Sequence, residues 1–165
     1  MGQIHLKQKM EHPAASVWEW LKDYGNIHRI HPALGKSHGE GEKSCGVGAV
    51  RHCEMKMGGF YLKERVTDWK ENQSYTVDIY ETSMPMMQRS LATLGVRELG
   101  NQASEVYMDI DYTTKYGFLG KVMDVFFMNA MMKMMMKMLF RKLDRTLRSA
   151  EGQKKVAFAT AVKQS

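Results

Sequence analysis

The alternation of apolar and polar side chains predicts that most of this chain forms short β-strands. Ile4, Leu6 and Met10 alternate with polar residues, which predicts a first strand near residues 2–11. Similar alternation recurs through the middle of the chain, between turn residues at Gly58-Gly59, Asn72-Gln73 and Gly100-Asn101. Strands joined by such short turns form an antiparallel sheet, so we expect one buried face and one exposed face.

Five further strands are predicted in this middle region, and each has one mainly apolar face. Those faces are Val47, Ala49, Arg51, Cys53 and Met55; Phe60, Leu62, Glu64 and Val66; Tyr75, Val77 and Ile79; Ser90, Ala92 and Leu94; and Val106, Met108, Ile110 and Tyr112. Pro85 interrupts the pattern between the third and fourth of them, since proline cannot donate to a sheet ladder. We expect a sheet of about six or seven strands.

Helical periodicity occurs after the first strand and at the end of the chain. Pro13 suits the start of a short helix in which Val17, Trp18 and Leu21 share one face. A second short helix is expected before Pro32, and one long helix over residues 119–150. Strands and helices are therefore segregated along the chain, which is typical of an α+β fold. Residues 1–150 are predicted to form a single domain, and residues 151–165 a poorly ordered tail.

Composition narrows the class of protein. The chain has 165 residues, of which 44% are hydrophobic and 25% charged, so disorder, collagen and a disulfide scaffold are excluded. The 24 Lys+Arg and 18 Asp+Glu give 24 − 18 = +6, and the cations are scattered except on the last helix. Nucleic-acid binding is therefore not expected. The first residues lack a signal-peptide core, and Cys45 and Cys53 read as free thiols, so we expect a cytoplasmic protein.

A series of short motifs accompanies this order of elements. They are Pro13–Trp18, Asp23–His28, His31–Leu34, Gly46–Arg51, Gly58-Gly59 followed by Glu64-Arg65-Val66, Trp69, Ser74-Tyr75 and Met84-Pro85-Met86. In this order, over residues 3–150, they resemble the polyketide cyclase/dehydrase branch of the START-like superfamily.

The resemblance implies the helix-grip fold of the major birch pollen allergen and the abscisic-acid receptors. In that fold a curved antiparallel sheet wraps around the C-terminal helix and leaves a cavity between them. The resemblance also implies a hydrophobic or amphipathic small-molecule ligand, and members include enzymes, receptors and lipid carriers. No cofactor is expected. Met108 stands where the family most often has an aromatic residue, so no particular ligand is carried over.

Arg51 and Glu64 are the most informative pair of charges. Each is the one charged residue on an otherwise apolar strand face, so we expect an internal ion pair, because buried charges need partners. A turn at Met57-Gly58 would place them directly opposite, and one at Gly58-Gly59 would make them diagonal neighbours. Three roles stay open: a structural bridge, a polar anchor for a ligand, and acid–base catalysis by Glu64.

Other candidate ligand contacts come from the sheet and the long helix. Asn129 lies within an apolar helix stripe that includes Val125, Met132 and Met136, so its amide must meet a backbone group, a water or a ligand. Tyr112 offers a hydroxyl on the last strand, and Cys53 is expected to point into the pocket. The apolar body of a ligand is expected against Val77, Ile79, Met108, Val125, Met132 and Met136.

Methionine is the unusual component of the composition. Eight of the 16 methionines fall between Met123 and Met138. They suit a buried helix or an adaptable ligand surface, and copper binding has no supporting motif. The side opposite the Val125 stripe is also apolar, with Met123, Phe127, Ala130, Met131, Met134 and Met138. That side needs a cover, and a homodimer or a pocket mouth is favoured over a membrane surface.

Histidine spacing does not indicate a metal site. His28 and His31 are three residues apart, with His38 nearby, but no acidic or cysteine partner has helpful spacing. His31-Pro32 also occurs without metal in the family that the chain resembles. No metal ligand is therefore predicted.

Overall fold

The computed structural model describes residues 2–84, 87–100, 102–114, 130 and 132–150. Within these residues the chain forms one antiparallel sheet of seven strands, in the order β1-β7-β6-β5-β4-β3-β2. The strands are β1 Gly2–Met10, β2 Leu34–Glu40, β3 Val50–Met55, β4 Tyr61–Lys70, β5 Ser74–Thr82, β6 Met87–Gly100 and β7 Ala103–Thr114. This arrangement confirms the α+β prediction and the expected strand number.

Two short helices connect β1 to β2, as predicted. The helix α1 (Ala14–Leu21) contacts β6 and β7 and buries Val17, Trp18 and Leu21. A 3₁₀ helix (Tyr24–Arg29) follows and contacts β2 and β3. The connection therefore crosses the sheet, because β1 and β2 form its two opposite edges.

The C-terminal helix α2 is described over residues 132–150 and supplies the other wall of the core. Its buried residues are Met136, Leu139, Phe140, Leu143 and Leu147, which confirms this part of the predicted apolar stripe. Residues 119–129 and 131 of the predicted helix lie outside the described residues, and so do Val125, Asn129 and the tail 151–165. Within the described part of the chain, no helix is long and apolar enough to cross a bilayer.

The edge strand β2 is the element that the sequence pattern did not predict. Its sequence is polar and glycine-rich, and within it only Leu34 and Ser37 are buried. An irregularity in its pairing with β3 between Leu34 and Lys36 interrupts the alternation. Since only one edge of an edge strand is paired and little of it is buried, the usual hydrophobic period is weak there.

Two residues assigned to inward strand faces lie elsewhere. Val47 is exposed before β3 begins at Val50, and Phe60 is exposed just before β4. The expected alternation holds from Ala49 onward, since Ala49, Arg51 and Cys53 are all buried.

The sheet is curved, and irregular pairing within β4 accompanies the curvature. The pairing of β4 with β5 shifts between Lys63 and Glu64 and again between Val66 and Asp68. An extra residue on one strand bends it and increases its twist. These shifts therefore help the sheet to present a concave face toward α2.

A buried histidine ties α2 to the segment that joins β1 to α1. His12 Nε2 lies 3.0 Å from Asp144 Oδ1, and Arg148 Nε donates to Asp144 Oδ2 at 2.9 Å. His12 is buried, so this contact fixes the position of α2 relative to the connection between β1 and α1.

Truncating the buried stripe of α2 tests its role in stability. Leu143→Ala is expected to lower the free energy of unfolding by about 2–5 kcal/mol, because it removes a fully buried side chain and leaves a cavity. Urea unfolding followed by circular dichroism measures the change. Met134→Ala, on the exposed side of the same helix, is the control and is expected to change stability by less than about 0.5 kcal/mol. Equal losses would contradict the assignment of Leu143 to the buried side and Met134 to the exposed side of α2.

Candidate functional site on the concave face of the sheet

Arg51 and Glu64 form a buried ion pair between β3 and β4. They are directly opposite in the strand register, and Arg51 Nε donates to Glu64 Oε2. Arg51 is 5% exposed and Glu64 is 7% exposed. Met55 N donates to Phe60 O at 2.8 Å, so the connecting loop has four residues and still produces the directly opposed register. The prediction of an internal ion pair is confirmed.

Tyr24 of the 3₁₀ helix completes this arrangement. The Arg51 guanidinium carbon lies 4.1 Å from the centre of the Tyr24 ring, and Arg51 Nη1 donates to Tyr24 O at 2.9 Å. The Tyr24 hydroxyl donates to Glu64 O at 3.2 Å. A buried cation that stacks on an aromatic ring and donates to the carbonyl of the same residue is stabilised without contact with water. The pair therefore joins β3, β4 and the 3₁₀ helix.

Burial determines the protonation of the groups around the ion pair. It disfavours the Arg51 cation, but the Glu64 carboxylate outweighs this effect and raises the pKa of Arg51 well above its usual value. Burial also raises the pKa of Tyr24, and it raises the pKa of Cys53 to about 12. Cys53 Sγ lies 4.0 Å from Glu64 Oε2 and remains a neutral thiol at physiological pH. The cluster thus holds one ion pair among neutral groups.

Ala92, at the centre of the concave face, is not fully buried. Ala92 of β6 pairs with Val77 on one side and Ile110 on the other, and the three side chains lie on the same face. Val77 and Ile110 are each 3% exposed, but Ala92 is partly accessible. A small side chain that remains partly accessible between two buried ones marks a point on this face that a further group could contact.

Three buried polar atoms near this interior have no hydrogen-bond partner: Ser90 Oγ, Tyr75 Oη and His31 Nδ1. Ser90 lies two residues before Ala92 on the same face of β6. Burial raises the pKa of the Tyr75 hydroxyl, and the neighbouring Arg51 cation partly offsets this rise. An unsatisfied buried polar group costs about 1–3 kcal/mol, so these atoms are candidates for contact with a ligand or water.

His31 has an unusually low pKa for a histidine. Burial, together with the cations of Arg51, Lys142 and Lys56, lowers its pKa from 6.5 to about 3. Part of its side chain reaches the surface, but Nδ1 is enclosed, and every charge that acts on it is positive. The imidazole is therefore neutral at physiological pH.

The predicted site residues fall into three groups. Arg51, Cys53, Glu64, Val77, Ile79, Met108, Tyr112 and Met136 are buried, and Met132 is partly buried on α2. Val125 and Asn129 lie outside the described residues. Tyr112 lies directly over Gly2, where an added Cβ would approach its ring carbons and hydroxyl to within 2.3–2.6 Å. Glycine at position 2 therefore leaves room for this tyrosine.

Sequence reasoning missed Tyr24, Tyr75, His31 and the combination of Ser90 with Ala92. Ser90 and Ala92 were placed on the correct strand face, but a small residue on a buried face carries no sign of the space above it. His28 was considered with His31 as a metal ligand, and its Nδ1 lies 2.8 Å from Ser37 Oγ instead. No cluster of three potential metal ligands occurs among the described residues.

A separate open cleft of about 500 Å³ lies away from this interior. It is lined by residues from the start of α1, the β4–β5 turn and strands β6 and β7, among them Ala14, Asn72, Arg97 and Tyr107. It contains none of the predicted site residues, so the concave face is the better candidate site.

Breaking one half of the ion pair is expected to cost more than removing both halves. Arg51→Met or Glu64→Leu alone should lower the free energy of unfolding by about 3–5 kcal/mol, because each leaves an unpaired buried charge. The double variant should lose less than either single variant. Urea unfolding of the three variants measures the coupling. Additive losses would show that the two side chains do not depend on each other.

His31 is expected to make stability depend on pH. Its folded pKa of about 3 lies below the unfolded value of 6.5, so stability is complete above pH 6.5 and falls as the unfolded state binds a proton. The slope between pH 6.5 and 5 should approach about 1.4 kcal/mol per pH unit. His31→Gln should remove that contribution, and His38→Gln, at an exposed histidine, is the control. Urea midpoints across this range give the slopes, and an unchanged slope in His31→Gln would contradict the assignment.

Known proteins with the same fold support this description. The chain is similar to a START superfamily protein from Mycobacterium smegmatis, with 10% identity, coverage of 90% of this chain and 98% of that one, and a TM-score of 0.72. It is also similar to XoxI from Bacillus cereus (16% identity, 92% and 99% coverage, TM-score 0.69). Ara h 8.0201 is a third similar structure (13% identity, 90% and 98% coverage, TM-score 0.69). These likenesses confirm the helix-grip fold.

A match of the sequence to a family profile identifies the family. No curated protein matches it significantly. The profile described as "Polyketide cyclase / dehydrase and lipid transport" matches residues 1–148. The match covers most of the chain and agrees with the START-like structural neighbours. This chain therefore belongs to the polyketide cyclase/dehydrase and lipid transport family.

Proposed function

We propose that this protein binds a hydrophobic or amphipathic small molecule between the concave face of the sheet and α2. The observation that carries the proposal is Ala92, which remains partly accessible between the buried Val77 and Ile110 at the centre of the concave face. Protein interiors are normally filled to high density, so space in this position is available for another molecule. The family's description, which names both cyclases and lipid transport, agrees with such a ligand.

The apolar body of the ligand would lie over the middle of the sheet. Its walls would be Val77, Ile79 and Met108 from the strands and Met132 and Met136 from α2, and Val125 is a predicted contact that lies outside the described residues. Three of these six residues are methionines, whose unbranched side chains adjust to different shapes. This composition favours a ligand class recognised by apolar surface, such as lipid-like or polyketide-like molecules.

Polar groups would orient the ligand at a few points. Ser90 presents an unpartnered hydroxyl, Tyr75 presents a hydroxyl beside Arg51, and neutral His31 presents an unpartnered ring nitrogen. Tyr112 and Asn129 are further predicted contacts. Arg51 and Glu64 would act mainly as the rigid support of this wall, because each is already bonded within the protein.

The same bonding argues against the enzymatic alternative. A general base must be able to reach and accept a substrate proton. Glu64 Oε2 already accepts from Arg51, and the nearest thiol, Cys53, is neutral. Ligand binding is therefore favoured over an acid–base reaction that uses Glu64.

Filling the space above Ala92 tests the proposal. Ala92→Leu is expected to abolish binding of the fluorescent probe 1-anilinonaphthalene-8-sulfonate, because the larger side chain occupies the ligand volume. Leu91→Phe adds volume on the opposite, exposed face of the same strand and should leave probe binding unchanged. Fluorescence titration measures binding, and mass spectrometry of an organic extract shows whether lipid copurifies with each variant.

Circular dichroism and urea unfolding show whether each variant is folded and as stable as the wild type. A folded Ala92→Leu protein that binds the probe as well as the wild type would contradict the proposed location. Failure of the wild-type protein to take up either the probe or an extractable lipid would contradict the proposed function.

A further inference from the structure

The exposed face of α2 carries cations without any exposed anion. Within residues 132–150, the exposed residues are Lys133, Met134, Lys137, Met138, Arg141, Arg145, Arg148 and Ser149. All five charged members of this set are basic. The single acidic residue of this segment, Asp144, is partly buried and engaged by His12 and Arg148.

Four of these five cations have no ion-pair partner among the described residues. They are Lys133, Lys137, Arg141 and Arg145, and only Arg148 is paired, with Asp144. Charges on the outer face of the sheet are different. There Lys7 is close to Glu105, Arg89 to Asp78, and Lys63 to both Glu40 and Glu81. Several cations of the sheet are thus paired with carboxylates, although within the described part of the chain Lys36 and Arg65 are not, whereas unpaired cations predominate on the exposed face of α2.

Methionine side chains lie among these cations. Met134 is 59% exposed and Met138 is 41% exposed, and they are one helical turn apart. At 100° per residue, Arg141 and Arg145 lie on the same side of the helix as both methionines. The face therefore combines exposed apolar groups with unpaired positive charge.

We propose that the exposed face of α2 docks on an anionic lipid membrane surface. The basic side chains would contact lipid phosphates and carboxylates, and Met134 and Met138 would enter the boundary between headgroups and acyl chains. Long basic side chains can place their charge at the headgroups while their alkyl stems lie against apolar material.

Other partners would complement either the positive charge or the apolar side chains of this surface, or neither. A second copy of the chain, docked face to face through α2, would bring five cations against five cations, which is electrostatically unfavourable. A nucleic acid would neutralise the cations but would offer no apolar phase to the two methionines. An anionic bilayer provides both complementary charge and an apolar layer.

The proposed docking face and the candidate ligand site lie on opposite sides of the same helix. The opposite face of the same helix buries Met136, Leu139 and Phe140 against the sheet. A membrane in contact with Met134 and Met138 would therefore lie one helix diameter from the concave face. The docking proposal does not depend on the proposed ligand, and it is tested separately.

Vesicle flotation with the full chain tests the proposal. The protein is expected to float with vesicles of phosphatidylcholine and phosphatidylserine but not with vesicles of phosphatidylcholine alone. Raising the salt concentration should weaken binding, because screening reduces the attraction between the cations and the lipid surface. Lys137→Gln/Arg141→Gln/Arg145→Gln should reduce vesicle partitioning by roughly 100-fold, since each basic residue near the surface contributes about 1 kcal/mol.

Matched control variants distinguish an effect of this helix face from an effect of total charge. Lys9→Gln/Lys36→Gln/Lys70→Gln removes the same charge from exposed positions on β1, β2 and β4, and it should retain binding. Met134→Ser/Met138→Ser should weaken binding without changing net charge. Circular dichroism confirms that each variant is folded.

Three results would overturn the proposal. One is equal flotation with anionic and neutral vesicles, and another is an equal loss of binding in the two triple-glutamine variants. The third is an absence of flotation, whether or not the protein is a dimer by sedimentation or binds a DNA duplex in a polarisation assay.

Discussion

The buried pairing of Arg51 with Glu64 is the interaction on which the rest of the interior depends. It places two charges where water cannot solvate them, so the surrounding elements must compensate both. The Tyr24 ring and carbonyl compensate Arg51, and the Tyr24 hydroxyl bonds to the backbone of Glu64. The 3₁₀ helix is consequently held against β3 and β4, and this closes one end of the concave face.

The interior beside this pair combines tightly packed aromatic rings with one partly accessible alanine. Tyr24, Tyr75 and Trp18 are almost fully enclosed, and their rings contact one another in edge or tilted arrangements. Ala92, by contrast, is partly accessible, and Ser90 Oγ has no partner. The packed end supplies burial that stabilises the fold, and the partly accessible Ala92 is where the proposed ligand would lie.

The helix α2 has different chemistry on its two faces. Its buried face packs leucine, phenylalanine and methionine against the sheet, and its exposed face carries lysine, arginine and two methionines. The sequence alone predicted apolar character on both sides and favoured a dimer or a pocket mouth for the outer one. The structure shows that the outer side of the described segment is dominated by unpaired cations, and this changes the partner that the surface fits best.

Local pattern in the sequence was sufficient for the antiparallel sheet, the short helices and the inward direction of Arg51 and Glu64, because alternation and turn residues act over a few positions. It did not reveal β2, whose polar edge position weakens the hydrophobic period. Nor could it reveal the accessible surface at Ala92, or the burial of His31 beside Arg51, Lys56 and Lys142. Those features arise where elements distant in the chain meet, and space and electric field at such meeting points depend on tertiary packing.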